Sequence, residues 1–244
     1  MNIDKWPDLR ISATPEAAAK ECAAYIADVL KARGQAKLAI SGGKTPTAMF
    51  EELAKADLYW PGIHIFWVDE RCVPPTDEQS NFKQANASLL LPARVPQSNI
   101  HRIPGELDAS EAAQRYIHEI TSVFSLAAGE LPVFDVLHRG MGPDCHTASL
   151  FPGEPLINDR TGIAAHVWVE KMKMHRVTLL PGVLLAAKHT VMQAVGPDKA
   201  DPLNQVLYGP DDPLKYPCQI ATRGSSNAVW FIDTEAAGRR VANA

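Results

Sequence analysis

Short apolar segments that alternate with helix-forming segments are the feature that most constrains the fold of this chain. Residues 63–68 are apolar at nearly every position, as in a strand that is covered on both faces. Residues 37–40 are a shorter run of the same kind, whereas residues 15–33 have the apolar spacing of an amphipathic helix. The alternation predicts an α/β fold, with a mostly parallel sheet covered by helices on both faces and a single domain over residues 1–244.

The main candidate for chemistry is the loop over residues 140–152, Gly-Met-Gly-Pro-Asp-Cys-His-Thr-Ala-Ser-Leu-Phe-Pro. It follows residues 133–137, an apolar run that predicts a short buried strand. Such a strand ends at the carboxyl edge of the sheet, where open α/β folds bind ligands. His146 supplies an imidazole, the group suited to proton transfer near neutral pH, and Asp144 could orient it or the substrate. The alternative is a plain strand-to-helix turn with one surface histidine.

A second glycine-rich turn, Ser-Gly-Gly-Lys-Thr-Pro at residues 41–46, leads into a helix predicted over residues 46–57. A strand, such a turn and a helix N-terminus form an anion site, because the free N–H groups and the helix dipole both favour phosphate. A nucleotide-binding P-loop would need glycine at position 38, which is Leu38. A sugar phosphate is therefore favoured over ATP, and a simple turn with a helix cap is the alternative.

Charged residues follow the strand predicted over residues 63–68. Asp69, Glu70 and Arg71 come directly after it and belong at the carboxyl edge of the sheet. Ordinary salt bridges are the default explanation for this triplet. Asn81 precedes a helix predicted over residues 82–91 and is equally well explained as a capping residue.

Composition and charge narrow the class of partner. The net charge of −4 gives no reason to expect nucleic acid or an anionic membrane as a partner, so an anionic substrate would need a local basic pocket. No apolar run approaches the ~18 residues of a membrane span, and residues 1–7 have no signal-peptide core. We therefore expect a cytoplasmic location. The spacing of the cysteines suggests neither a zinc site nor a disulfide framework; they are Cys22, Cys72, Cys145 and Cys218.

The loop over residues 140–152 resembles the signature Gly-x-Gly-x-Asp-Gly-His-Thr-Ala-Ser-Leu-Phe-Pro of the 6-phosphogluconolactonases, within the glucosamine-6-phosphate isomerase/6-phosphogluconolactonase superfamily. The turn at residues 41–46, the triplet at residues 69–71 and the pair at residues 80–81 also match in order. The regions around Arg176 and Lys199 match as well. The resemblance therefore spans nearly the whole chain.

The resemblance implies a Rossmann-like sheet of the sugar-phosphate isomerase and lactonase type, and an enzyme that hydrolyses 6-phospho-D-glucono-1,5-lactone to 6-phosphogluconate, the second step of the oxidative pentose phosphate pathway. No cofactor or metal is implied. The implied catalytic residues are His146, Asp144, Arg71 and Asp69. The residues implied for the substrate and its phosphate are Ser41, Gly42, Gly43, Lys44, Thr45, Asn81, Arg176 and Lys199. The expected partner is a small phosphosugar lactone, without nucleic acid or membrane, bound by a monomer or small homo-oligomer.

This chain departs from the family pattern in two places. Cys145 stands where the family has glycine. If φ is positive there, a Cβ costs on the order of 1–2 kcal/mol and the loop shifts. His138 and Arg139 stand where the family is usually apolar or small, and we expect Arg139 to point outward.

Several alternatives remain open from the sequence. The sister activity, isomerisation and deamination of glucosamine 6-phosphate, has a glutamate five residues after the loop histidine, where this chain has Phe151. A non-catalytic sugar-phosphate sensor would need an appended DNA-binding helix pair, and one helix is predicted before residue 37. A metal site at Asp144, His146 and His64 and a Cys145–His146 dyad are two further alternatives.

Overall fold

The computed structural model describes residues 8–223 and 227–241, and the strands of this part form two sheets. Seven parallel strands make the central sheet, in the order β1-β10-β9-β6-β2-β3-β5. A smaller antiparallel sheet has the order β4-β8-β7. The strands are β1 Asp8–Ser12, β2 Ala36–Ile40, β3 Ile63–Trp67, β4 Asp69–Arg71, β5 Ile100–His101, β6 Val136–Gly140, β7 Ala164–Val169, β8 Met174–Leu179, β9 His189–Ala194 and β10 Ala228–Asp233.

Helices cover both faces of the central sheet. Alternate residues of β10 belong to different apolar clusters, Val229 and Phe231 to one and Trp230 and Ile232 to the other. Since alternate residues of a strand point to opposite faces, the sheet is buried on both sides, and the predicted fold class is confirmed. The helices are α1 Pro15–Lys31, α2 Lys44–Ala54, α3 Asn81–Ala85, α4 Ala109–Phe124, α5 Pro181–Ala186, α6 Ala200–Tyr208, α7 Ile220–Arg223 and α8 Thr234–Val241. None of the described helices is long and apolar enough to cross a membrane.

Local sequence accounts for the first helix. Thr14 caps α1 by accepting a hydrogen bond from the N–H of Ala17 at 3.2 Å, and Pro15 is its first residue. Its buried face includes Cys22 and Ile26, as the apolar spacing predicted. The helix ends at Lys31, two residues before the end of the span predicted from the sequence, residues 15–33.

The strand before the main loop lies further along the chain than predicted. Strand β6 begins at Val136 rather than at residue 133, because Asp135 forms the entry to the sheet. The N–H of Asp135 donates to the carbonyl of Lys37 at 2.9 Å, and its carboxylate pairs with Lys188 at 2.9 Å. His138 and Arg139 therefore lie inside a central strand. Arg139 is fully buried, so the prediction that it points outward was wrong.

The antiparallel sheet was not predicted as a separate unit. Two of its strands are β7 and β8, over residues 164–169 and 174–179. They pair with each other and with β4, the charged triplet that was predicted to lie at the carboxyl edge of the sheet. The register places Arg71 opposite Arg176 and Asp69 opposite Thr178. The small sheet thereby brings two distant parts of the chain to one edge of the central sheet.

Candidate active site

A cleft lies at the carboxyl edge of the central sheet, where the segments that follow β2 and β6 meet. Most of the predicted site residues line it: Ser41, Gly42, Gly43, Thr45, Asp69, Arg71, Asn81, His146, Arg176 and Lys199. Asp144 is hydrogen-bonded to His146. Lys44 begins α2, and its side chain lies outside the described part of the structure. The carboxyl edge of the sheet therefore collects residues that are far apart in the sequence.

The glycine-rich turn is shaped by close backbone approach. A Cβ on Gly42 would lie 2.0 Å from the side-chain oxygen of Asn81, so only glycine fits there. Gly43 has φ of +114° and is the N-cap residue of α2, so it has no side chain to cap the helix. Its own N–H donates to Gln84 Oε1 at 2.8 Å. Ser41 Oγ is buried and unpartnered among the described residues. The first turn of α2 thus begins beside the cleft, and the N–H groups of a helix N-terminus are of the kind that bind an anion.

His146 is held by a carboxylate. Nδ1 of His146 and one oxygen of Asp144 share a short hydrogen bond, and the other oxygen accepts from Lys171 Nζ. Burial raises the pKa of Asp144, but the hydrogen bonds from His146 and Lys171 outweigh it and hold this pKa well below its usual range. Because an ionised carboxylate only accepts hydrogen bonds, Nδ1 carries the proton. Nε2 is left as the basic nitrogen of a side chain that is 23% exposed.

The imidazole of His146 is also held by packing. Phe151 stacks on it, with ring centroids 4.3 Å apart. A Cβ on Gly142 would lie 2.0 Å from Nδ1, so the glycine makes room for the ring. Lys171 Nζ lies 4.5 Å from the centroid of Phe151. The sequence singled out Phe151 only because the sister activity has a glutamate at this position. Its stacking on His146 depends on the folded loop and could not be predicted from that comparison.

Cys145 occupies a left-handed backbone position, with φ of +65°. The family glycine is explained by this conformation, and a side chain there is strained by on the order of 1–2 kcal/mol. The Cys145 sulfur is directed toward the carbonyl of Pro202 at 3.6 Å, and burial raises the pKa of the thiol to about 11. A thiol that stays protonated is a poor nucleophile, which argues against a Cys145–His146 dyad.

Asp69 orders its neighbours without hydrogen bonding to the histidine. Its carboxylate accepts from Ser149 Oγ at 2.6 Å and lies 3.5 Å from Nη1 of the buried Arg176. Ser149 belongs to the loop that carries His146, so one carboxylate connects that loop to β8. Burial lowers the pKa of Arg176 and Asp69 opposes the shift; a guanidinium remains charged in proteins. Ser149 was missed by sequence reasoning because nothing marks it apart from its neighbours.

Glu70 was named only as a member of the charged triplet and was given no role, although it organises one wall of the cleft. It accepts backbone N–H bonds from Arg71, Asn81 and Phe82 at 2.8, 2.8 and 2.7 Å. Burial raises the pKa of Glu70, while these three bonds act in the opposite direction. Ser80 rather than Asn81 caps α3, since its Oγ accepts from the N–H of Lys83 at 3.2 Å. Asn81 donates to the carbonyl of Asp69 at 2.8 Å, which leaves its Oδ1 buried and unpartnered among the described residues.

Positive charge collects in the cleft although the chain is acidic overall. Arg71, Arg176 and Lys199 all line the cleft. Lys199 pairs with Asp198 at 2.7 Å and its side chain is only 12% exposed. Arg71 donates to the carbonyl of Gln79 at 2.5 Å. These cations form the local basic pocket that an anionic substrate would need.

The metal-site alternative finds no support in the described residues. Among them no group of three or more His, Cys, Asp or Glu side chains could hold a metal ion. His64 lies near the start of β3, at the opposite end of the strand from the cleft, and its Nδ1 is 2.8 Å from Nε2 of His101. The three proposed ligands therefore do not form one cluster.

Comparison with known proteins agrees with the fold. The family described as glucosamine-6-phosphate isomerases/6-phosphogluconolactonase matches residues 11–230, and the chain belongs to this family. A 6-phosphogluconolactonase of Synechocystis is 33% identical, over 86% of this chain and 87% of that protein. The 6-phosphogluconolactonase of Mycobacterium tuberculosis is 32% identical over 98% of both chains. The crystal structure of the devB protein superimposes with a TM-score of 0.87 at 33% identity, over 96% of this chain and 99% of that one. The resemblance seen in the sequence is thereby confirmed.

Proposed function

We propose that this protein hydrolyses 6-phospho-D-glucono-1,5-lactone to 6-phosphogluconate. The observation that carries the proposal is the position of His146 in one cleft with the uncapped turn before α2 and with Arg71, Arg176 and Lys199. An oriented base at one end and an anion site at the other suit a substrate with a carbonyl and a phosphate. The relatives named above as 6-phosphogluconolactonases support the same reaction.

His146 is the general base in this proposal. Nε2 removes a proton from water as the water oxygen forms a bond to the lactone carbonyl carbon, a contribution typically worth roughly 10²–10⁴-fold in rate. Asp144 holds Nδ1–H and stabilises the imidazolium that results. The bond from the carbonyl carbon to the ring oxygen then breaks, and the imidazolium returns its proton to that oxygen. Arg71 or the N–H groups of the loop stabilise the negative charge on the carbonyl oxygen.

The phosphate is held at the other end of the cleft. The N–H groups at the start of α2, with Ser41, bind its oxygens. Arg176 and Lys199 supply charge, the first as a planar two-pronged donor and the second as a point charge. Fixing the phosphate places the carbonyl beside His146, so that binding energy is used for orientation. Asp69 keeps Arg176 in position.

Isomerisation of glucosamine 6-phosphate is the second candidate, and it is not favoured. It requires a carboxylate five residues after His146, and Phe151 at that position is stacked on the imidazole instead. The phosphosugar lactone remains the proposed partner. The monomer or small homo-oligomer state and the cytoplasmic location stay predictions.

A coupled assay tests the function. Glucose 6-phosphate is oxidised enzymatically, and lactone disappearance is followed above the spontaneous rate with wild type, His146→Ala and the control His189→Ala. His189 lies at the other end of β9 from the cleft. We expect His146→Ala to lose at least about 100-fold in turnover and the control to match wild type. Wild-type turnover in His146→Ala, or a faster reaction with glucosamine 6-phosphate, would overturn the proposal.

A further inference from the structure

Two polar side chains lie at the floor of the cleft, in the middle of the parallel sheet. His138 on β6 and Gln193 on β9 line the cleft and are each 1% exposed. They share a face of the sheet, because Gly140 lies two residues after His138 and is the register partner of Gln193. Strands that are buried on both faces are normally apolar. The presence of a buried histidine and a buried glutamine in these strands therefore requires a structural or functional explanation.

The two side chains satisfy only part of each other's hydrogen bonding. Nε2 of His138 is 3.4 Å from Oε1 of Gln193. Nδ1 of His138 and Nε2 of Gln193 are buried and have no partner among the described residues. Unpaired buried polar atoms destabilise a protein, and they are commonly completed by a ligand or by water.

The chemistry of the missing partner follows from the pair itself. If the imidazole donates from Nε2, it offers Nδ1 as an acceptor, and the glutamine offers an N–H donor. If the glutamine amide is turned over, it donates to Nε2, and then Nδ1 carries a proton while the amide oxygen accepts. Both arrangements present one donor and one acceptor. A hydroxyl group, which donates and accepts at once, matches both.

A phosphate fits this position poorly. Burial lowers the pKa of His138 to about 4, so the imidazole is neutral near pH 7. Phe50 of α2 contacts the imidazole edge-on, with ring centroids 6.3 Å apart, and supplies no charge. A phosphate dianion only accepts hydrogen bonds and would face the lone pair of the unpaired acceptor. The floor of the cleft therefore differs in chemistry from the glycine-rich turn.

We propose that His138 and Gln193 bind one hydroxyl group of the sugar ring and make the enzyme discriminate between substrates by that hydroxyl. This inference rests on the proposed function, because it concerns the substrate of the same cleft. The pair is a specificity determinant and takes no part in proton transfer to the reacting atoms.

The test compares lactones that each lack one hydroxyl. They are made from glucose 6-phosphate and from its 2-, 3- and 4-deoxy analogues, and kcat/KM is measured for wild type and for the double variant His138→Leu, Gln193→Leu. We expect wild type to disfavour one deoxy lactone by about 10- to 100-fold. The double variant should lose that preference, because its kcat/KM should be lower than that of wild type on the parent lactone and equal to it on the deoxy lactone. The same preference in both proteins would overturn the proposal.

Two controls separate specificity from folding. His189→Leu removes a partly buried histidine away from the cleft and should keep the wild-type preference. His138→Gln keeps a hydrogen-bond donor and an acceptor, so it should keep part of the wild-type preference among the lactones. If His138→Gln instead behaves as the leucine variant does while remaining folded by circular dichroism, hydroxyl binding is contradicted.

Titration calorimetry compares the two proteins by ligand affinity and does not require turnover. The affinity for 6-phosphogluconate and for its deoxy counterparts is measured in wild type and the double variant. Selective binding without lactone hydrolysis would overturn the proposed function and leave this inference standing. Hydrolysis without any hydroxyl selectivity would overturn the inference alone, and absence of both would overturn both.

Discussion

The two faces of strand β6 carry adjacent polar residues with opposite surroundings. His138 faces the cleft and shares it with Gln193. Arg139 is the register partner of Met192, which in turn pairs with Trp230, so it faces an apolar cluster. All three guanidinium nitrogens of Arg139 are buried and unpartnered among the described residues. Unpartnered polar atoms therefore lie beside the cleft on one face of β6 and inside an apolar cluster on the other.

The difference between the faces depends on the space in front of each side chain. His138 lines the cleft. Arg139 is surrounded by packed side chains, and burial lowers its pKa to about 10. Changes on the cleft face should therefore alter activity, and changes on the back face should alter stability alone.

The largest effect is expected on the cleft face, at Asp144. Asp144→Asn keeps the shape of the side chain but no longer requires a proton on Nδ1 of His146, so the ring can adopt the wrong tautomer. We expect turnover to fall by roughly 10²–10⁴-fold. The control is Asp28→Asn, at an exposed side chain of α1 that does not line the cleft. Equal turnover in Asp144→Asn and wild type would mean that the carboxylate does not orient the base.

On the back face, Arg139→Leu should stabilise the protein. Replacing a buried, unpaired charge by an apolar side chain often raises the free energy of unfolding, here by about 1–4 kcal/mol. Denaturant unfolding measures the change, and kcat/KM should stay at the wild-type value. Arg139→Lys is the matched variant that keeps a charge and should bring no gain. A less stable leucine variant would show that Arg139 has a partner, and the contrast between the faces would fail.

The pH dependence of the free energy of unfolding is expected to depend on His138. The folded pKa of His138 is lowered to about 4, so folded His138 stays neutral while the unfolded side chain takes up a proton below about pH 6.5. The unfolded state binds more protons in this window, and the free energy of unfolding therefore falls as the pH falls from about 6.5 to about 4.

Urea unfolding at pH 7 and pH 5 measures this loss. It should be smaller in His138→Leu than in wild type by about 2 kcal/mol. His175→Gln, at an exposed histidine, is the control and should behave as wild type does. An unchanged pH dependence in His138→Leu would show that His138 is not neutral and buried as described.

The smallest effect is expected at Cys145, which lies beside both regions. Cys145→Gly relieves a left-handed conformation and should raise the free energy of unfolding by about 1 kcal/mol, offset in part by glycine's greater flexibility when unfolded. Turnover should stay the same or rise, since the strain lies next to His146. Ala148→Gly, at another left-handed residue of the loop with φ of +53°, is the comparison variant. A large loss of turnover in Cys145→Gly would mean that the thiol supports the loop.

Local pattern was sufficient for much of the molecule. The capped helix α1, the parallel strands and the glycine-rich turns follow from spacing and backbone preference, which act over a few residues. The motif around His146 also identified the family. Prediction failed for the start of β6, because the ion pairs of Asp135 join residues that are distant in the sequence.

The sequence by itself determined that the chain is a parallel α/β protein with polar loops at the carboxyl ends of its strands. Tertiary structure alone decided that β4, β7 and β8 form a second sheet and that Glu70 and Ser149 order the cleft. It also decided which neighbour faces the cleft, since one residue of register separates His138 from Arg139. The physical reason is that burial and hydrogen bonding depend on what packs opposite a side chain, which no local pattern contains.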